Sequence, residues 1–563
     1  MARRAADRLE EPLALRDGGL ARGVGGGGPP PPPGGGGRRG PPPASSAVAA
    51  IVGDASNEEG FLLQRLMREA LGSAHIDSRP SRGPEAEVLR RLSQPSISAK
   101  VRDIDEADAI LVLGTDPLHS SPILDLRVRK AVRRNGAKLV VATERPTALD
   151  GGAEAIARYA PGQAAHFLAE LASAVGGAEN VATPLAGTLR EAERVVVLWG
   201  ERVAREDGAA AALLELAAAV KAADSDGAGL LEVPDTANAR GLREAGCLPD
   251  AGPGLKETEA GMATEEIRAA LISGELSGLV LFGADPLRDF PDTPAWEEAL
   301  TAADFVVCFS MHENATTAKA DVVFPLETHA EKDGTVTHPD GRLQRVRPSA
   351  SRPGDIRPNV LVLSELAEAL GLETDAYSQP AAFTALTNAV PFYNGIGDSD
   401  IGGRGLRWQD GPSAANVPEL GEGTGAPSER FAPPAEDESR TAASDPARQA
   451  SEEGAPVPSL ALGTYRDLWA GPITELNPPL KFLQPQQRVE VSSADAEQLG
   501  LQSGDRARVS CNGSTVEATV QIKERVPAGV CFLAEGVAEG NANALLNGGP
   551  VQVRIEKLSE VQA

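Results

Sequence analysis

Residues 304–344 read DFVVCFSMHENATTAKADVVFPLETHAEKDGTVTHPDGRLQ, and this stretch decides the fold. An apolar run at 305–309 leads into a polar loop holding Thr316 and Thr317. A second run, 321–324, stops at Pro325, and a Gly/Asp-rich loop closes on Gly341-Arg342. Short runs that are apolar at consecutive positions fit strands covered on both faces of a parallel sheet. Backbone N–H groups and hydroxyls collect at the carboxyl ends of such strands, where ligands bind in α/β folds.

Outward from that stretch the pattern repeats. Strand-length apolar runs occur at 47–52, 109–113, 138–141, 194–198, 278–282 and 304–309. Helical periodicity separates them at 58–71, 122–134, 164–175, 209–222, 264–273 and 360–370. Alternating strands and helices predict an α/β class with doubly wound parallel sheets and right-handed crossovers. The C-terminal part reads differently. Runs at 487–491, 506–511, 514–522 and 530–534, with turn residues Gly504-Asp505, Asn512-Gly513 and 527–529, predict a closed six-stranded β-barrel, with a short helix at 493–499.

Four regions follow. Residues 1–46 are a low-complexity N-terminus, expected to lack a stable fold because of the tract GVGGGGPPPPPGGGGRRGPPP at 23–43. That tract reads either as a natural linker or as a frameshifted stretch. Residues 47–375 are the α/β region, in two subdomains. Residues 376–456 are an acidic Gly/Pro/Ser-rich linker, with Trp408 isolated in it, and 457–563 are the barrel.

Composition excludes several functions. A net charge of −26 opposes a nucleic-acid groove and an electrostatic footing on anionic lipid. No apolar run approaches the roughly 18 residues of a membrane span, and Asp7, Glu10 and Glu11 interrupt any signal-type start. The four cysteines, Cys247, Cys308, Cys511 and Cys531, form no C-x-x-C, so neither an iron–sulfur cluster nor structural zinc is expected in this chain. His312-Glu313 opens like H-E-x-x-H, but Thr316 stands where the second His is needed. No phosphate-binding G-x-x-x-x-G-K-[ST] exists, and the G-x-G-x-x-G match lies in the Gly/Pro tract. No catalytic residue and no metal site is expected.

Two strand–Gly–x–Asp–Pro loops carry the remaining signal, LVLGTDPLHSSP (111–122) and LVLFGADP (279–286). Gly114 and Gly283 permit close backbone approach, and Asp116 and Asp285 can cap the following turn. Other loops of the same kind are VVATERPT (140–147) and PGQ (161–163).

The order T-T-A-x-A-D-V-V-x-P, then E-K-D-G-T-x-T-x-x-x-G-R-x-Q, resembles the molybdopterin oxidoreductase superfamily. Within it the likeness is to the large iron–sulfur subunit of NADH-quinone oxidoreductase, respiratory complex I. The two Gly–x–Asp–Pro loops are similar to its I-x-x-G-x-N-P, 140–147 to its D-x-R-x-T, and 161–163 to its P-G-T-D. The order D-A-x-x-L-G-L-x-S-G-D resembles its dinucleotide-binding barrel. The segment RLEEPLALRDGGL (8–20) resembles the pattern that follows the iron–sulfur region in relatives, so that region is expected to be missing here.

The resemblance implies a pterin-dinucleotide pocket built from Gly114, Asp116, Thr143, Arg145, Gly162, Gly283, Asp285, Thr316 and Asp321. Departures make it vestigial: Asp116 and Asp285 replace Asn, Thr143 replaces Asp, and His338 replaces Asn. A carboxylate at those places repels a pyrophosphate. Residues 73–84, where a metal ligand is expected, hold no Cys, only Asp77, Ser78 and Ser81 as oxygen donors. The implied function is a peripheral-arm subunit of NADH:quinone oxidoreductase without clusters of its own. Its partners would be flavin and iron–sulfur subunits, and through them it would sit at the cytoplasmic face of the membrane. Iron–sulfur clusters belong to the missing region. The alternatives are a molybdopterin-guanine-dinucleotide enzyme of the formate dehydrogenase kind and a non-catalytic scaffold or truncated gene product.

Overall fold

The computed structural model describes residues 8–16, 19–22, 47–418 and 459–558. Strands β1 (Leu13–Arg16) and β2 (Gly19–Arg22) come first, then β3 (Val48–Val52) and β4 (Ile76–Asp77). Strands β5 (Ala109–Leu113), β6 (Lys138–Ala142), β7 (Ala155–Ala157), β8 (Val195–Gly200) and β9 (Gly229–Val233) form a sheet of their own, ordered β7-β6-β5-β8-β9. A short hairpin, β10 (Ala251–Gly252) and β11 (Lys256–Glu257), follows. The chain then returns to the first sheet with β12 (Gly278–Phe282), β13 (Phe305–Ser310) and β14 (Val322–Pro325), giving the order β2-β1-β14-β13-β12-β3-β4. Strands β15 (Gly334–Thr337), β16 (Arg342–Val346) and β17 (Leu406–Arg407) make a small antiparallel sheet. Strands β18 (Leu460–Arg466), β19 (Arg488–Val491), β20 (Arg506–Cys511), β21 (Ser514–Ile522), β22 (Val530–Glu535) and β23 (Val551–Lys557) close into the six-stranded barrel.

The continuous apolar runs have a simple cause. In β5, Ala109, Leu111 and Leu113 enter one core while Ile110 and Val112 enter another, and all five are fully buried. Alternate side chains leave a strand on opposite faces, so a strand covered twice must be apolar throughout. Helices Ala164–Val175, Thr183–Glu191 and Ala209–Ala219 cover one face of that sheet, and Pro122–Lys130 covers the other.

The two parallel sheets share one plan. With β1 and β2 set aside, β14-β13-β12-β3-β4 matches β7-β6-β5-β8-β9 strand for strand, all neighbours parallel. The chain enters them at different points, so one is a permutation of the other. In each, the strand carrying Gly–x–Asp–Pro (β5 or β12) lies at the place where strand order reverses. Its glycine is left-handed in both sheets, with φ +59° at Gly114 and +61° at Gly283. A second glycine faces each. A Cβ on Gly200 would lie 2.6 Å from the Gly114 carbonyl oxygen, and one on Gly53 would lie 2.2 Å from that of Gly283.

Two regions differ from what the sequence leads one to expect. Part of the N-terminus expected to be unstructured is built into the first sheet: β1 pairs antiparallel with β14, and Leu9 and Leu13 are buried. Arg8 donates to the carbonyls of Met311 and Leu326 and to the Glu331 carboxylate. The tract at 23–43 lies outside the described residues. The expected linker at 376–456 is folded through 418. Helix Gln379–Ala389 buries Ala382, Phe383 and Leu386, and Trp408 is fully buried against Phe392. Residues 419–456 lie outside the described residues.

Candidate functional site

A cavity of about 110 Å³ opens where strand order reverses between β5 and β8. Four of the residues singled out from the sequence, Gly114, Asp116, Thr143 and Arg145, line it. Gly162 instead meets the barrel, where a Cβ would lie 2.6 Å from the Pro550 ring. Its backbone N–H serves Glu144. Thr143 is tied down locally, its hydroxyl donating to the Arg145 carbonyl at 2.8 Å.

Gly283, Asp285 and Thr316 meet at the equivalent place in the other sheet, and there the chain's own side chains hold the carboxylate. Asp285 accepts hydrogen bonds from the Thr316 hydroxyl and from the Asn314 amide. Burial pushes its carboxyl up to about 6, against the Thr316 hydrogen bond. Asp321 is a fastening for β13, accepting from the Val306 N–H at 2.8 Å.

Apart from Arg145, the groups that dominate this region are not among those the sequence singles out. Three arginines at the carboxyl ends of the sheets each make a two-pronged pair with a carboxylate from the barrel region. Arg145, after β6, donates to Glu490 of β19 at 2.7 and 2.8 Å. Arg202, after β8, donates to Glu535 at the end of β22 at 2.8 and 2.6 Å. Arg288, after β12, donates to Glu475, between β18 and β19, at 2.9 and 2.7 Å. Asp235 adds a second partner to Arg202 at 3.0 Å, and Arg145 also lies 3.8 Å over the Tyr465 ring. Burial alone would oppose ionisation of Glu535, but Arg202 outweighs it and holds that carboxyl at about 2. These pairs fasten the barrel across both sheets.

Glu144, Glu206 and Tyr159 complete the cavity wall. Burial, reinforced by Glu206, pushes the Glu144 carboxyl up to about 7, with Arg202 pulling the other way. A signal was available: Glu144 sits inside the quoted 140–147 loop, and Gly200 ends an apolar run just as Gly114 does. The barrel carboxylates left no such signal, because a glutamate at a strand end reads as surface.

Known proteins share this architecture. Residues 41–369 match the family described as Molybdopterin oxidoreductase, and 460–553 match the Molydopterin dinucleotide binding domain. The chain belongs to the molybdopterin oxidoreductase family. Family members similar to it include the NADPH-Fe(3+) oxidoreductase subunit alpha of Geobacter sulfurreducens, 29% identical over 89% of this chain and 63% of that protein. A subunit of the NADH-quinone oxidoreductase of Rhizobium meliloti is 24% identical over 88% of this chain and 61% of its own length. The F420-dependent formate dehydrogenase 2 subunit alpha of Methanococcus maripaludis is 24% identical over 87% of this chain and 81% of its own. This chain therefore spans less than two thirds of the first two. Among solved structures, acetylene hydratase from Pelobacter acetylenicus superposes with a TM-score of 0.67 at 14% identity, covering 99% of this chain and 93% of that one. That likeness supports the fold.

The family's dinucleotide cofactor carries phosphates, and a fork-shaped guanidinium suits a phosphate as well as a carboxylate. Here Arg145, Arg202 and Arg288 are already matched by the chain's own carboxylates, and Asp116 and Glu144 face the cavity. The cavity is also smaller than the roughly 300 Å³ at which drug-sized pockets begin. In this arrangement the residues do not fit a pyrophosphate-bearing dinucleotide. The expected metal-ligand stretch fits no better: Asp77 is fully buried and held by Arg79 at 2.8 and 3.1 Å. Among the described residues no helix is long and apolar enough to cross a membrane.

Proposed function

We propose that this chain is a subunit of a multi-subunit electron-transfer oxidoreductase of the NADH-quinone oxidoreductase kind, in which its α/β sheets and barrel act as scaffold. The relatives above are named as subunits, which supports an assembly. The observation that carries the scaffold reading is the set of three arginine–glutamate forks. They close the barrel over the sheet ends with protein carboxylates where the family places an anionic cofactor. The flavin and iron–sulfur partners, and attachment to the inner membrane face through them, follow from this reading.

The second reading is a molybdopterin-dependent enzyme of the formate dehydrogenase kind, favoured by the 81% of the Methanococcus subunit that the match spans. Purifying the tagged chain from its native cells separates the two. The scaffold reading expects flavin and iron–sulfur chains to co-purify, and NADH:quinone activity to fall on deletion. Formate-dependent activity lost on deletion, with NADH:quinone activity intact, would overturn it.

A further inference from the structure

The cavity between β5 and β8 has a charge balance that points to a ligand of its own. Its arginines are spoken for: Arg145 by Glu490, Arg202 by Glu535 and Asp235, Arg466 by Asp289 at 3.0 Å. Its carboxylates are not matched in the same way. Asp116 accepts only from the backbone N–H groups of Leu118 and Ala148, Glu206 from those of Ala164, Ala165 and Gly162, and Glu144 from that of Gly162. Among the described residues none of the three has a basic side chain within 4 Å. Beside them stands Tyr159, 7% exposed, whose ring stacks on Phe167. Its hydroxyl lies 3.0 Å from where a Cβ on Gly114 would be, and no described residue hydrogen-bonds it. A hydroxyl on a buried ring that opens to this space, unpartnered among the described residues and beside carboxylates without a basic partner, in a cavity large enough for several waters, makes a site with acceptors to offer and no donor supplied.

We propose that this cavity binds a small organic cation bearing N–H donors, a guanidinium or primary ammonium, held by Glu144 and Glu206 with the Tyr159 oxygen accepting a third hydrogen bond. An anion is disfavoured because every arginine facing the space already holds a carboxylate. The site stands whatever assembly the chain joins.

Binding is linked to a proton. Burial and Glu206 hold the Glu144 carboxyl near 7, so at neutral pH about half of it is protonated. A cation seated against it favours the carboxylate, so binding expels that proton to solvent. The groups facing Glu144 are Asp116 and His119 from the β5 loop, Arg202 and Glu206 after β8, and Tyr159 after β7. Arg145 after β6, Asp235 after β9, Tyr465 and Arg466 from β18 and Glu535 from β22 complete the set.

Calorimetry of the full chain with methylguanidinium, and separately with methylammonium, tests this at pH 6 and pH 8. One of the two cations should bind with affinity rising about tenfold across that interval, with proton release seen as a buffer-dependent heat. Glu144→Gln should weaken binding at pH 8 and flatten the profile, His119→Gln should keep the profile, and Tyr159→Phe should weaken binding at both pH values. A circular-dichroism melt shows that each variant is folded. Binding of pyrophosphate in preference to either cation, binding without pH dependence, or no binding of either cation at millimolar concentration would overturn the proposal.

Discussion

The two parallel sheets are built on one plan and differ at the place where strand order reverses. Between β12 and β3 the chain ties its own side chains across the crevice, with Asp285 held by Thr316 and Asn314. Between β5 and β8 the same plan leaves a cavity with unmatched carboxylates. One fold position can thus be a structural joint or a binding site, and side chains beyond the strand ends decide which.

The closed joint should be the more brittle. Gly53→Ala places a methyl 2.2 Å from the Gly283 oxygen with backbone all around, and should cost about 4 kcal/mol in denaturant unfolding. Gly200→Ala, at 2.6 Å from the Gly114 oxygen but beside open space, should cost about half as much. Equal losses would mean the two crevices are equally packed.

The barrel forks come next. Glu535→Gln leaves Arg202 paired with the Asp235 carboxylate and should cost about 2–3 kcal/mol at pH 7. The folded carboxyl sits at about 2, below its ordinary 4.5, so the stability it lends is full above pH 4.5 and drains away as pH falls toward 2. The wild-type and variant stabilities should therefore converge on acidification.

Asp285→Asn should act in the opposite sense. That carboxyl sits at about 6, above its ordinary 3.8, so the folded state loses stability as pH rises from 4 to 6. The variant should gain about 2 kcal/mol over wild type above pH 6 and little at pH 4, read from thermal melts. Smallest is Arg145→Lys, which keeps the charge but loses the fork to Glu490 and the stacking on Tyr465, about 1 kcal/mol.

Much of the fold was legible because double burial forces strands such as AILVL to be apolar at every position. Helices Ala164–Val175 and Thr264–Ser273 have the bounds their periodicity predicts. The helix Gln379–Ala389 was hidden because Gly, Pro and acid-rich neighbours diluted its pattern, although Ala382, Phe383 and Leu386 carry helical spacing. The small strand β17 and the burial of Trp408 depend on contacts distant in sequence. At the site, the Gly–x–Asp–Pro loops announced both crevices, since glycine at a strand end has a backbone reason. Which crevice stays open was illegible. It depends on Asn314 and Thr316 in one sheet, and on Glu535 and Glu490 arriving from the barrel in the other.

The scaffold reading stands or falls on what the chain carries when taken from its native cells. Elemental and pterin analysis of that protein, counting molybdenum, tungsten and iron per chain, is the direct measurement. A scaffold should carry no molybdenum or tungsten, with iron present only while partner subunits remain bound. Stoichiometric molybdenum or tungsten together with a guanine dinucleotide would refute it, because the three arginine forks would then have to release their glutamates to hold the phosphates.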